Sequence, residues 1–371
     1  MINLRRWNLG FVVALLLCQA TVSATPLKVW AYSVWWLPDG WRNAPLKDID
    51  RLLFFELKVN IKGEIYDRNG WPEKWVELRL AVKQKNTPLD LTLTLFDDAT
   101  FSSLFNSVEA TQRLLEEAVS LGRQDGVAGL QLDFEIYTAL APETLIRYRG
   151  FVRELSSRLR KLSPARNLSV FFPVGGESAL YDAVTLKLVN QVVLQGYDAH
   201  WKGSKNAGPL SPLNGNEVAT WKKAIAQGVA LGVPKNRMLI SFPFYGYEWE
   251  VKGQTPRSET IGSGVTTSYA LLPDGVLPDI QFNILERVRR YGATHDPVSG
   301  SSYYQFKRKN GEFVEGWFED VRGLRHKTDY LESEKLSGIA FFPLGYDDGK
   351  LMDSFLRRKN IVNKQDMNGT R

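Results

Sequence analysis

Eight apolar, β-rich runs recur along this chain with helical patterns between several of them, and that alternation limits the fold more than any other feature. The runs are Lys28 to Ser33, Arg51 to Leu57, Leu89 to Phe96, Ala128 to Phe134, Leu168 to Phe172, Gln191 to Leu194, Met238 to Phe242 and Gly338 to Phe342. They are continuously apolar rather than alternating, as strands covered on both faces are. Ser107 to Leu121 carries Leu114, Leu115, Ala118 and Leu121 at helical spacing. Glu143 to Leu162 carries Leu145, Tyr148, Phe151, Val152, Leu155 and Leu159, and Asn216 to Leu231 is a third helical stretch. Strand and helix in alternation imply right-handed crossovers and a parallel sheet. Eight such units close most economically into an α/β fold, the (β/α)8 or TIM barrel, which takes roughly 250 residues and grows by insertion. A chain of 371 residues fits one barrel with an addition.

The addition has a place. The stretch from Phe242 to Gly338 is too long for a loop. Within it, Tyr303 to Phe306 and Phe313 to Phe318 read as paired strands around Asn310-Gly311, and Ile284 to Tyr291 reads as a helix. We expect a small α+β insertion between strands 7 and 8, at about 250–335 of a barrel domain spanning 25–360, and a loose polar tail over 361–371.

The first 24 residues read as a signal peptide. Arg5 and Arg6 precede the apolar run Phe11 to Leu17, and Val22-Ser23-Ala24 gives a small-x-small cleavage pattern. The run is shorter than the ~20 apolar residues that span a bilayer. No later segment would anchor the chain, so export to the periplasm or the medium is expected, with no stable membrane anchor. Cys18 is the sole cysteine and lies in the leader. That excludes disulfides, thiol nucleophiles and cysteine metal sites from the mature chain. The net charge is +6, or +4 without Arg5 and Arg6. Basic residues such as Arg287, Arg289, Arg290 and Lys307 to Lys309 are scattered, so no nucleic-acid partner is expected. His200, His295 and His326 lack metal-ligand spacing, and no glycine loop cradles a phosphate. No metal or cofactor is expected, and a monomer is.

Three segments carry chemistry. In Gly126 to Glu135, the polar Gln131, Asp133 and Glu135 alternate with Leu130, Leu132 and Phe134. On a strand the polar set shares one face, at about 7 Å per two-residue step. Carboxylates at the carboxyl end of a barrel strand are costly unless paired or at work, and that end is where barrels place catalytic groups. Two close carboxyls do not ionise independently, so one holds a proton near neutral pH, as glycosidic cleavage requires. The alternative is an ion pair with a nearby arginine or lysine. The second segment is Gln195 to Trp201, where Tyr197 and Asp198 offer hydrogen bonds and Trp201 a flat face for a sugar ring. The third is Phe242 to Trp249, dense in aromatics that suit either a sugar platform or core packing.

Together these segments resemble glycoside hydrolase family 18, the chitinase family. Its D-G-x-D-x-D-x-E signature is similar to Ala128 to Glu135, with Gly129, Asp133 and Glu135 kept. Its M-x-Y-D motif resembles Gln195 to Asp198, and its P-F-Y-G segment matches Pro243 to Gly246. Gly338 to Asp348 resembles the closing strand, and Thr294 to Lys327 the insertion domain. The resemblance implies a retaining mechanism in which the substrate's own acetamido group is the nucleophile. Glu135 would protonate the leaving oxygen, Asp133 would orient the acetamido group, Tyr197 would donate to its oxygen, and Asp198 would bind the distorted sugar. Gln131, Trp201, Tyr245, Phe342 and Tyr32 would line the substrate. Several departures point away from crystalline chitin. Ala128 and Gln131 replace two signature aspartates, Gln195 stands where methionine is usual, Phe96-Asp97-Asp98 replaces a glycine pair, and Phe342 replaces a floor tryptophan.

The expected activity is cleavage of β-linked N-acetylglucosamine polymers: chitin fragments, peptidoglycan glycan or an exopolysaccharide. Two alternatives keep the barrel without the chemistry, a sugar-gripping lectin and an interaction scaffold.

Overall fold

The computed structural model describes residues 26–173, 180–273, 277, 280 and 282–368. The signal peptide expected over 1–24 lies outside the described residues. In the first half run β1 (Lys28–Val34), β2 (Arg51–Val59), β3 (Ile65–Asp67), α1 (Val76–Lys85), β4 (Leu89–Leu95), α2 (Asp98–Asn106), α3 (Val108–Gly122), β5 (Val127–Phe134), α4 (Pro142–Arg160) and β6 (Asn167–Phe172). Then come α5 (Ala183–Leu186), β7 (Gln191–Leu194), α6 (Trp221–Ala230) and β8 (Met238–Pro243). The rest is β9 (Tyr245–Val251), β10 (Val265–Ser268), α7 (Ile284–Tyr291), β11 (Thr294–Asp296), β12 (Ser301–Lys307), β13 (Phe313–Phe318), α8 (Val321–Glu334), β14 (Gly338–Phe342) and α9 (Lys350–Asn368).

All eight apolar runs are barrel strands. Their order is β1-β14-β8-β7-β6-β5-β4-β2, every neighbouring pair is parallel, and the β1–β2 pairing closes the cylinder. Strand alternation sorts the side chains. Leu130, Leu132 and Phe134 face the helices and join the large outer core. Trp30, Tyr32, Leu53, Phe171, Val193, Leu239 and Ala340 form a separate buried cluster, whose strand parity puts it inside the cylinder.

The interior is also layered with polar groups. At the bottom, Asp90 pairs with Arg51 and accepts from Asn167 Nδ2 at 3.0 Å. Gly129 lies between Asp90 and Asn167 in register. A Cβ there would meet the Asn167 carbonyl oxygen at 2.6 Å and Asp90 Oδ1 at 2.7 Å, so this position of the motif needs glycine for space. Gly129→Ala is expected to cost about 1–3 kcal/mol by overpacking, read as a lower urea midpoint with an unchanged slope.

Between β8 and β14 sits the insertion, an antiparallel sheet in the order β10-β9-β13-β12-β11 with α7. The pairing of β12 with β13 and the helix at Ile284–Tyr291 agree with the sequence reading. The segment Tyr245 to Trp249, read there as a strand-end cluster, is itself strand β9. Its Tyr245, Tyr247 and Trp249 recur at period two, which is a strand signal. The third helical stretch starts later than Asn216, because Thr220 caps α6 by accepting from Lys223 N. Over the expected tail, α9 continues to Asn368.

Candidate active site

The ladder on β5 points inward as its spacing predicts. Gln131 is fully buried below the others. Its Oε1 accepts from Tyr32 Oη at 3.0 Å and from Thr92 Oγ1 at 3.5 Å, and its amide donates to Ser169 Oγ at 3.5 Å. Gln131 and Tyr32 therefore form a hydrogen-bonded layer under the site rather than its surface. One step up, Asp133 is buried, and among the described residues its Oδ1 has no hydrogen-bond partner. Glu135 follows the end of β5 and is partly exposed; its N–H still donates to the Leu95 carbonyl at 3.0 Å. Between them, Tyr181 clamps Phe134: its hydroxyl donates to the Phe134 carbonyl at 2.9 Å and accepts from the Phe134 N–H at 3.2 Å. That fixes the step between the two carboxyls.

Burial pushes the Asp133 carboxyl well above the ordinary range, and the charges of Glu135 and Glu56 push it further. Burial also raises Glu135, a hydrogen bond from Tyr137 lowers it, and the charge of Asp198 raises it. Among the described residues, neither Asp133 nor Glu135 forms an ion pair with a lysine or arginine. The pair therefore titrates as a unit and retains a proton far above the usual carboxylate range.

The facing wall comes from β7, β9 and β14. Asp198, at φ 64°, turns its carboxylate to accept from Tyr245 Oη at 2.7 Å and Tyr247 Oη at 2.9 Å. Burial dominates over both bonds and holds Asp198 at about 6. Tyr197 stacks on Phe342 with ring centroids 5.8 Å apart and meets Tyr245 edge-on at 5.8 Å. Phe342 also packs against Tyr32 and Phe55, both at 5.5 Å. The floor is thus a cluster of several rings with Phe342 at its centre. Trp201 stands apart, half exposed on the loop after β7 with its ring over Gly203.

Asp133, Glu135, Tyr197, Asp198, Tyr245 and Phe342 therefore converge on the carboxyl end of one barrel. A family model of glycosyl hydrolases family 18 matches residues 52–347. The chain belongs to that family. Among relatives, a putative sporulation-specific glycosylase, YdhD of Bacillus subtilis, is 27% identical over 71% of this chain and 58% of its own length. A class V chitinase of Arabidopsis thaliana is 24% identical over 89% of this chain and 88% of its own. The crystal structure of the spore cortex-lytic enzyme SleL of Bacillus megaterium superposes with a TM-score of 0.67 at 18% identity, over 90% of this chain and 75% of that one. The chain spans about three fifths of the length of the first Bacillus relatives it matches. Among the described residues no helix is long and apolar enough to cross a membrane.

This family 18 site contains residues that the motif reading did not single out. Tyr137 donates a short hydrogen bond to Glu135 Oε2. It continues the alternation 131, 133, 135 by one more step, which is the signal that finds it. Asp98 accepts from the N–H groups of Tyr137 and Thr138 at 3.3 and 3.1 Å, and Asp97 caps α2. Of the pair that departs from the family pattern, Asp98 thus anchors the loop after Glu135 while Asp97 holds the start of the helix. Trp36 packs edge-on against Phe342 and Phe55, at 6.3 and 5.7 Å, and donates to Tyr346 Oη at 3.1 Å. Glu56 is buried, accepts from Thr94 Oγ1 at 2.7 Å, and lines a cavity of about 630 Å³ with Tyr66, Phe96 and Asp97. Nothing in the sequence marks it, because β2 shifts register against β4 between Phe54 and Leu57, and strand parity is lost there.

Tyr137 stabilises the anion of Glu135. Removing that bond in Tyr137→Phe is expected to let Glu135 keep its proton to higher pH. The basic limb of the kcat profile should then rise by about half a unit to one unit, measured as kcat against pH.

Proposed function

We propose that this family 18 protein is an exported glycosidase that cleaves β-linked N-acetylglucosamine-containing glycans, with the substrate's acetamido group as nucleophile and retention at the anomeric carbon. The observation that carries this reading is the coupled pair Asp133 and Glu135, with one buried Asp133 oxygen lacking a donor among the described residues. An acetamido N–H would fill that need. Its hydrogen bond favours the Asp133 anion and shifts the shared proton onto Glu135. Glu135 then delivers the proton to the glycosidic oxygen as the C–O bond breaks. The acetamido carbonyl oxygen closes on the anomeric carbon, and the resulting cation lies against the Asp133 anion. The Tyr197 hydroxyl, which burial holds protonated, donates to the acetamido oxygen, and Asp198 takes a sugar hydroxyl. Glu135 finally accepts a proton from the attacking water, and the bond to the acetamido oxygen breaks.

The test is a panel of N-acetylated chitin oligomers, peptidoglycan glycan strands and fully deacetylated glucosamine oligomers, with products followed by proton NMR. Release from an N-acetylated glycan with the β-anomer appearing first supports the reading. Cleavage of the deacetylated oligomers, or first appearance of the α-anomer, overturns it. The hydrogen bond from Tyr137 to Glu135 favours a second reading, a lectin whose acid is capped, which predicts tight oligomer binding with no product.

A further inference from the structure

We propose that Glu56 is a fourth carboxylate of this site, beside Asp133, Glu135 and Asp198, and a positioning residue that acts on Asp133 from β2, across β4. The layer below Asp133 carries no charge, since Gln131, Thr92, Ser169 and Tyr32 satisfy one another there. The second carboxylate beside Asp133 comes instead from β2. Beyond the shift in register between Phe54 and Leu57, Thr94 pairs with Lys58, two residues along β2 from Glu56. Thr94 is the register partner of Asp133 on β4, and its hydroxyl donates to Glu56 Oε2 at 2.7 Å. The other oxygen, Oε1, accepts from Trp35 Nε1 at 3.4 Å and lies 3.8 Å from Lys58 Nζ. Two donors, one cation and an opening onto a cavity hold the Glu56 carboxylate in place.

Asp133 has none of these aids. The groups that face it are the carboxyls of Glu135 and Glu56 and the phenols of Tyr32, Tyr181, Tyr197 and Tyr137. No lysine or arginine pairs with it among the described residues. Burial comes first in raising Asp133, and the two carboxylates add to it. The charge of Glu56 falls on Asp133, whereas Glu135 is shifted by its burial, by Tyr137 and by Asp198. Its effect is therefore one-sided: it keeps the last proton of the pair bound to higher pH, in reserve for transfer to Glu135 when substrate arrives. Lys58, which also pairs with Asp67 at 3.4 Å, moderates that push.

The experiment is a carbon-13 titration of the aspartate carboxyls in the intact protein. The Asp133 signal is assigned by its loss in Asp133→Asn. In Glu56→Gln the Asp133 midpoint is expected to fall by about one pH unit, the size of effect a close like charge exerts. Glu56→Asp, which keeps the charge, should restore most of it. Lys58→Met should move the midpoint the other way. Thermal melts confirm folding, and if Glu56→Gln does not fold, the opposite shift in Lys58→Met carries the test. A midpoint that stays put in both Glu56→Gln and Lys58→Met overturns the proposal. The activity arm rests on the hydrolase reading: the basic limb of kcat/KM should move to lower pH in Glu56→Gln, whereas a purely structural defect would lower the rate at every pH. If the native protein cleaves no glycan, that reading fails, while the carboxyl titration still decides the role of Glu56.

Discussion

Glutamine in place of Glu135 is expected to lower kcat by about 10²–10⁴-fold, the usual worth of a positioned proton donor. The substitution keeps shape and removes only the titratable proton, so KM for an N-acetylated oligomer should change little. Tyr137, which donates to Glu135 Oε2, is able to donate to the glutamine oxygen as well, and the loop anchored by Asp98 should stay in place. Steady-state rates on a chitin oligomer, with binding measured by calorimetry, separate the outcomes. A variant that cleaves within a few-fold of the native rate would remove Glu135 from the chemistry. A variant that no longer binds would mean that the carboxylate grips the sugar rather than protonating its leaving group.

The second large effect is expected at Asp133. On the proposed mechanism Asp133→Asn removes the anion that would face the cationic intermediate, and about 10²–10³-fold in kcat should be lost, as when a single electrostatic contact to a developing charge is deleted. The pH profile should change shape too. In the native pair two coupled carboxyls should give a bell-shaped profile. With asparagine present Glu135 no longer titrates as half of a pair, so the acid limb set by Asp133 should vanish. The basic limb should move to lower pH, because the buried partner no longer helps to hold the last proton. An unchanged bell in Asp133→Asn would mean that the pair is not coupled. A variant equal to native in rate would defeat the acetamido mechanism as a whole.

The barrel was legible because its strands are buried on both faces, and continuous apolar runs such as Gln191 to Leu194 and Gly338 to Phe342 have few other uses. The inward ladder at 131, 133 and 135 was legible for the opposite reason, since polar residues at period two inside such a run demand a shared face. What parity could not reach was any residue beyond an irregularity. Glu56 sits in a stretch where β2 slips against β4, and its neighbours Phe55 and Leu57 suggest a core position. Asp198 was visible as a motif residue, but its two phenol donors were not, because Tyr247 lies in a strand of the insertion rather than of the barrel. Trp36 lies just past the end of β1, where no periodicity applies. Gln131 and Tyr32 show the reverse limit. Their residue types suited a sugar, yet their hydrogen bonds are spent on each other one layer below.

The insertion has a consequence for anyone who would swap it. Its first strand begins two residues after barrel strand β8 ends, and the phenols of Tyr245 and Tyr247 reach back to hold Asp198. A chimera that exchanged the whole segment for a relative's, or trimmed it to a short linker, would leave that carboxylate without its tethers and free to swing. The graft point that spares the cleft therefore lies after Tyr247, inside the sheet, and not at the apparent seam between the two architectures.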